Sequence, residues 1–265
     1  MAKNVLPTKI IMAMLLFLNV RFLGYCCAQE DTSQNHFFRN IPSELASPWT
    51  TKARPWFLAG VATTVGLVIL EDQVVDPLQT KVSDGKPLGR LSQIGNLGGR
   101  SIQNSIYVLG MLGYYGFSRD KNVLKRAGLM AKASLYAGLL CTGLKYGIRE
   151  PRPNGHDRLS FPSGHTTMAF AFSSYITAEH GLFPYGIISN VFALLTDFSR
   201  INDNNHYLHD VVGGMTIGIS YGLGVAYSEK KSSKNTNEKN QLISDFNIFP
   251  LYSENTKGLF ISFRI

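Results

Sequence analysis

The sequence is poor in cysteine, which limits how its fold can be stabilised. It has three cysteines in 265 residues, and Cys26 and Cys27 lie in an N-terminal stretch typical of an export signal. Basic residues precede an apolar run at residues 10–20, and small residues follow it. We therefore expect a signal peptide at residues 1–28, whose removal would leave Cys141 alone. A mature chain of this kind has no intrachain disulfide and depends on packing.

Charge is also scarce. Charged residues make up 17% of the chain, against about 25% in an average soluble domain. The mean hydropathy of +0.00 is nevertheless modest for a chain dominated by membrane spans. Arg21 directly follows the apolar run, where signals are usually uncharged, so an uncleaved anchor is the alternative to cleavage. The net charge of +8 favours an anionic partner such as a phosphate or a lipid head group, and we expect no nucleic-acid partner.

Long apolar runs are few. Residues 57–70 are apolar on every side, but they are short for a membrane span, which needs about 20 residues. Five further apolar segments follow, rich in small residues that let helices approach closely: residues 105–117, 123–148, 165–179, 185–199 and 206–227. We predict an all-α fold, a helical bundle of about six core helices. Each segment alone is ambiguous between a core helix and a span.

Polar stretches set the domain boundaries. Residues 29–54 show no sustained period and are predicted to be an irregular lead-in to a helical domain at residues 55–228. Residues 229–265 begin as a polar, charged linker and end in two alternating runs around a polar turn, which predicts a short C-terminal β-hairpin tail. No internal repeat is visible in the sequence.

Three clusters of polar residues stand at the ends of predicted helices. The first is KYGIREPRP at residues 145–153, the second is PSGH at residues 162–165, and the third is SRINDNNHYLHD at residues 199–210. Because each cluster begins or ends a helix, all three can face one end of a bundle. We therefore expect them to form one site.

The cations of these clusters favour an anion between them. Lys145, Arg152 and Arg200 would repel one another without it, and arginine is suited to bidentate binding of oxyanions. Ser163 and Gly164 open a helix, whose free N–H groups and dipole favour a phosphate. Gly164 also lets a ligand approach the chain closely. These five residues are the predicted phosphate-binding groups.

The histidines supply the remaining parts of a phosphoryl transfer. His165 and His206 can serve as proton donor and nucleophile. Asp210 follows His206 by one helical turn, so it can accept a hydrogen bond from the imidazole and fix its tautomer. Charge neutralisation, a nucleophile and a leaving-group acid are then all present. No acidic pair with metal-ligand spacing accompanies them, so we expect a site without a metal or other cofactor.

Other polar features are assigned no catalytic role. His209 is next to Asp210 but points about 100° away around the helix. The loop charges are interpreted as solvated, with contact to a head group as the alternative: Arg149, His156 and Arg158. His180 is interpreted as a surface residue, and GNLGG at residues 95–99 as an ordinary turn rather than a phosphate loop.

The ordered set Lys-x6-Arg-Pro, Pro-Ser-Gly-His and Ser-Arg-x5-His-x3-Asp resembles the type 2 phosphatidic acid phosphatase superfamily, which includes bacterial class A acid phosphatases and vanadium haloperoxidases. The short interval between the first two motifs is similar to that of the lipid phosphatases. The resemblance implies that His206 forms a phosphohistidine, that Asp210 orients it and that His165 protonates the leaving alcohol. The cations and the start of the PSGH helix would hold the phosphate oxygens.

The sequence therefore predicts an exported, metal-independent phosphatase of the cell envelope, associated with the membrane and facing the periplasm. Its partner would be a phosphorylated lipid: phosphatidic acid, phosphatidylglycerol phosphate, undecaprenyl pyrophosphate or lipid A phosphate. The alternatives are a soluble periplasmic nonspecific acid phosphatase that acts on small phosphate esters, a vanadate-dependent haloperoxidase and an envelope protein without enzymatic activity.

Overall fold

The computed structural model describes residues 41–99, 101–244, 246–253 and 256–263. The signal peptide predicted at residues 1–28 and the first part of the predicted lead-in lie outside the described residues. The chain divides into two compact units, one ending at Tyr227 and the other beginning at Ser228.

Up to Ser244 the described elements are helical, which confirms the all-α prediction. In chain order they are α1 (Ile41–Leu45), α2 (Ser47–Thr50), α3 (Arg54–Ile69), a π-helical turn (Glu71–Val75), α4 (Asp76–Gly85), α5 (Leu91–Gly98), α6 (Ile102–Ser118), α7 (Lys121–Ile148), α8 (Gly164–His180), a second π-helical turn (Leu182–Gly186), α9 (Ile187–Asn202) and α10 (Leu208–Ser244). The six predicted core segments correspond to α3, α6, α7, α8, α9 and the first part of α10.

Helix ends follow local sequence signals. Asp120 caps α7, its side chain accepting a hydrogen bond from the Asn122 N–H at 2.8 Å, and Ser163 caps α8. Helix α7 ends at Arg149, whose φ of 53° lies in the left-handed region that stops a helix. These caps place the last turn of α7 and the first turn of α8 on either side of the connecting loop, residues 149–163.

Helices α7, α8 and α10 enclose the main core. Met130, Ala137, Tyr175 and Val225 are among the buried residues there. Three glycines of α10 lie four residues apart against α8: a Cβ at Gly214, Gly218 or Gly222 would lie 2.5 to 2.7 Å from a backbone oxygen of α8 or its cap. These glycines therefore allow α10 to approach α8 closely, as the small residues in the sequence predict.

The predicted lead-in differs from the structure at its C-terminal end. Residues 41–50 form two short helices, and Glu44 is buried. Its carboxylate is 2.7 Å from the Lys132 ammonium and accepts a hydrogen bond from the Tyr136 hydroxyl at 2.8 Å. Helices of five and four residues are too short to show a helical period in the sequence. The ion pair joins the first of them to α7 across 88 positions of the chain.

The predicted linker also differs. Helix α10 continues to Ser244, because residues 229–244 contain no proline or glycine and many good helix formers. Beyond it the backbone forms β1 (Phe246–Ser253) and β2 (Thr256–Phe263), paired antiparallel with Phe246 opposite Phe263. The side chains there lie outside the described residues, so a packed hairpin tail stays a prediction.

Three described helical segments are long and apolar enough to cross a membrane: Lys121–Ile148, Leu182–Asn202 and Leu208–Ser233. Helix α3 and the segment Glu71–Gly85, bent by 81°, pass the same test as a pair. Large apolar side chains face outward on these helices, including Leu139 on α7 and Ile188 on α9, which are 60% and 66% exposed. Length, composition and exposed apolar faces together indicate membrane association.

Candidate active site

The predicted site residues lie at the ends of four helices and in one loop. Lys145 is in the last turn of α7, and Arg152 is in the loop that follows. Gly164 and His165 begin α8, and Arg200 lies in the last turn of α9. His206 lies two residues before α10 begins, and Asp210 lies in the first turn of that helix.

His206 and Asp210 form a buried pair with a serine that the motifs do not include. His206 Nδ1 lies 3.5 Å from both Asp210 Oδ2 and Ser160 Oγ. Ser160 Oγ donates to the same Asp210 oxygen at 2.5 Å, and the Tyr207 N–H donates to it at 2.9 Å. The side chains of His206, Asp210 and Ser160 are all buried. The arrangement fixes the carboxylate and directs Nδ1 toward it.

Arg152 joins this pair from the loop. Its Nη1 donates to His206 Nε2 at 3.2 Å and to the Asn205 carbonyl at 3.3 Å. Its Nε donates to Asp157 Oδ1 at 2.8 Å, and Asp157 also accepts a hydrogen bond from the Leu159 N–H. Burial works to raise the pKa of Asp157, but these hydrogen bonds outweigh it and the pKa is lowered. Asp157 is thus an anion that anchors the guanidinium beside His206.

His206 is held in its neutral form. Burial lowers its pKa to about 4, against the opposing effect of Asp210, and the charges of Lys145 and Arg152 lower it further. An arginine can only donate, so its contact requires a lone pair on Nε2. The proton of the neutral ring is therefore assigned to Nδ1, facing Asp210, and Nε2 is the available nucleophilic atom.

Lys145, Ser163 and Gly164 surround the start of α8. The Lys145 ammonium donates to the carbonyls of Leu159 at 2.5 Å and Ser160 at 3.3 Å. The Lys145 Cε lies 3.7 Å from where a Cβ would stand on Gly164, so the cation and the helix N-terminus are adjacent. The Ser163 N–H donates to the Asp210 carbonyl at 2.9 Å, which joins the α8 cap to the His206–Asp210 pair.

Arg200 and His165 lie against α5 and the glycine that follows it. A Cβ on Gly99 would lie 2.3 Å from the Cβ of His165, so this glycine lets His165 pack against the backbone. Arg200 is buried and donates to the Asn96 side chain. Its carbonyl accepts a hydrogen bond from the His206 N–H at 3.3 Å, which places the two residues side by side along the backbone. Residues 95–98, which the sequence predicts to be part of a turn, are helical instead and include Asn96, the partner of Arg200.

The sequence interpretation missed several residues of the site. Ser160, Asp157 and Asn96 carry no motif signal, since each contacts its partner only once the loops are folded. His209 was predicted to point away from Asp210, but the structure buries it, with Nε2 at 3.0 Å from Glu150 Oε1 and 3.4 Å from Asp210 Oδ1.

The loop charges and His180, which were assigned no catalytic role, are exposed or half-buried. Arg149, His156 and Arg158 are exposed, as predicted for solvated loop charges. His180 is half-buried rather than a plain surface residue, with its ring against Tyr107 and Tyr185. In the part of the chain that the structure describes, Glu71, Glu150 and His209 bring three potential metal-ligating atoms within 4.8 Å of one another.

Comparisons with known proteins find one family and several relatives. The PAP2 superfamily model matches residues 127–234. A lipid A 1-phosphatase of Porphyromonas gingivalis is 34% identical over 112 residues, which are 42% of this chain and 25% of the relative. The undecaprenyl-diphosphatase BcrC of Bacillus subtilis is 31% identical over 119 residues, 41% of this chain and 59% of the relative. The match thus spans a quarter of one curated relative and about three fifths of the other.

The fold is similar to that of a transmembrane PAP2-type phosphatidylglycerolphosphate phosphatase from Bacillus subtilis, with a TM-score of 0.53 and 22% identity. That likeness covers 71% of this chain and 96% of the other. The segment matched by the family model contains all three motifs from which the family was predicted. The family prediction is thus confirmed by the match of the PAP2 superfamily model to residues 127–234.

Proposed function

We propose that the protein hydrolyses phosphate esters of membrane lipids through a phosphohistidine, without a metal ion. The observation that supports this most directly is the state of His206. Its ring is neutral, Asp210 faces Nδ1, and Arg152 lies beside Nε2. A neutral imidazole with one oriented lone pair beside a guanidinium is suited to attack on a phosphorus whose oxygens that guanidinium neutralises.

In the first step, Nε2 of His206 attacks phosphorus and the bond to the ester oxygen breaks. His165 gives its proton to the leaving alkoxide, and Asp210 accepts the hydrogen bond of the Nδ1–H as positive charge develops on the ring. Lys145, Arg152, Arg200 and the Gly164 N–H hold the phosphoryl oxygens. The Ser163 N–H, also predicted for this role, instead donates to the Asp210 carbonyl.

In the second step, a water molecule attacks the phosphohistidine. His165, now neutral, takes a proton from this water, the N–P bond breaks, and inorganic phosphate leaves. His165 ends the cycle protonated, and His206 returns to its neutral form. Each atom transferred is accounted for by substrate, water and the two histidines, so the proposed cycle needs no oxidant or reductant.

Two observations favour a lipid substrate. Helices α7 and α9 expose apolar side chains along segments long enough to cross a bilayer, and both end at the site. The relatives named above are a lipid A 1-phosphatase and an undecaprenyl-diphosphatase, each named for a lipid phosphate. These observations support a site at the membrane surface, where a phosphorylated head group can enter from the bilayer. That the site faces the periplasm of the cell envelope is proposed from the predicted export signal alone.

The test is phosphate release by the detergent-purified protein from a panel of substrates, with and without EDTA. The panel holds the four lipid phosphates predicted from the sequence and p-nitrophenyl phosphate as a soluble ester. We expect turnover of at least one lipid that survives EDTA, loss of turnover in His206→Ala, and normal turnover in His180→Ala, a histidine at the opposite end of α8. Faster hydrolysis of the soluble ester than of every lipid would instead indicate a nonspecific acid phosphatase. Bromide oxidation that depends on vanadate, or no release from any substrate, would contradict the proposal.

A further inference from the structure

Asp210 uses its two carboxylate oxygens on two different sides. Oδ2 faces the nucleophile and accepts hydrogen bonds from Ser160 and the Tyr207 backbone. Oδ1 faces the other way, toward His209 Nε2 at 3.4 Å. The orientation of the nucleophile therefore depends on what holds Oδ1 as well as on what holds Oδ2.

His209 is held between two carboxylates. Its Nε2 lies 3.0 Å from Glu150 Oε1, within hydrogen-bond distance, and 3.4 Å from Asp210 Oδ1, an ion-pair contact without hydrogen-bond geometry. His209 and Asp210 have no exposed surface and Glu150 is 2% exposed. The plane of the His209 ring is fixed as well, since it stacks on the Tyr207 ring with 5.4 Å between centroids and 11° between planes. Two buried carboxylates would repel each other more strongly without the polar ring between them.

We infer that Glu150 and His209 are positioning residues for the nucleophile: Glu150 orients His209, and His209 holds Asp210 Oδ1 so that Oδ2 stays aligned with His206. Neither residue belongs to the Lys-x6-Arg-Pro or His-x3-Asp pattern, since both occupy unspecified positions of it. The inference rests on the proposed function, because the orientation of His206 affects turnover only if His206 is the nucleophile.

The structure offers one competing role for the same residues. Glu71, which begins the π-helical turn after α3, brings its carboxylate into the group, and the three donors could hold a cation. In that case His209 would act through a metal rather than through its direct contact with Asp210. The two roles differ in their response to chelation, which the experiment can measure.

The experiment compares His209→Gln, His209→Leu and the control His180→Leu in detergent with the same lipid phosphate. Glutamine can place an N–H close to the position of Nε2, whereas leucine fills a similar volume without a donor. We expect His209→Leu to lower kcat by about 10- to 100-fold, because the buried Asp210 carboxylate would lose the polar ring beside Oδ1. KM and the inhibition constant of inorganic phosphate should stay within about twofold, because the cations that bind phosphate are untouched. His209→Gln should keep most of the wild-type kcat, and His180→Leu all of it.

Three results would overturn the inference. The first is an unchanged kcat in His209→Leu. The second is an equal loss in both His209 variants together with a lower thermal midpoint and a changed KM, which is the pattern of a purely structural residue. The third is wild-type activity that EDTA removes and a divalent cation restores, with no such response in His209→Leu, which assigns a metal. Wild-type turnover reports separately on the proposed function, so an inactive wild type would contradict that function rather than the positioning role.

Discussion

We expect His206 to become protonated at a much lower pH than a histidine in water. The ordinary pKa of histidine is about 6.5, and burial lowers that of His206 to about 4. The acid limb of kcat/KM reports the ionisations of the free enzyme. We therefore expect its midpoint near pH 4, measured by lipid phosphate hydrolysis between pH 3.5 and 8 in one detergent. A midpoint near 6.5 would contradict the proposed neutral, buried nucleophile.

The same shift predicts a pH-dependent stability. Between pH 6.5 and about 4 the unfolded His206 binds a proton that the folded one does not, so the contribution is fully present above pH 6.5 and is lost as pH falls to about 4. The loss amounts to about 3 kcal/mol of unfolding free energy. In His206→Gln this part of the pH dependence should vanish, so the thermal stabilities of variant and wild type should converge on acidification. Parallel curves at all pH values would refute the reasoning.

The remaining predictions concern single contacts. Ser160→Ala should lower kcat by about 10- to 100-fold because Asp210 loses a short, buried hydrogen bond. The control Ser173→Ala should leave kcat unchanged, since the Ser173 hydroxyl donates within its own helix. Equal rates in the two variants would be inconsistent with a role for Ser160. Arg152→Lys should lower kcat/KM by about 100-fold, since lysine cannot hold Asp157 and the nucleophile together, and near-normal hydrolysis would argue against that geometry. Glu44→Ala should destabilise the fold by about 3–5 kcal/mol by leaving the Lys132 ammonium buried without its carboxylate; an unchanged thermal midpoint would count against this ion pair.

The helices and the ends that carry the motifs could be predicted from the sequence, because their signals are local. Apolar segments separated by proline, glycine and charge define the helices, and their small residues predict the close packing that Gly214, Gly218 and Gly222 provide. The three motifs place their residues within a turn of a helix end, so their convergence follows once a bundle is assumed.

The contacts that the sequence did not predict join distant positions. Glu150 and His209 are 59 residues apart, Asn96 and Arg200 are 104 apart, and Glu44 and Lys132 are 88 apart. Helix geometry predicts that His209 points away from Asp210, and it could not show that the α7–α8 loop brings the Glu150 carboxylate beside His209. Such pairs become visible only when tertiary structure removes both partners from water.

The central claim is that His206 becomes covalently phosphorylated, and it can be tested by trapping the intermediate. Protein mixed with a ³²P-labelled lipid phosphate is quenched in alkali within milliseconds, and the bound label is then treated with acid. The account predicts a label on the wild type that is stable to alkali, is released by acid and maps to the peptide containing His206, with none on His206→Ala. Lipid turnover without any labelled protein, or an undiminished label on His206→Ala, would contradict it.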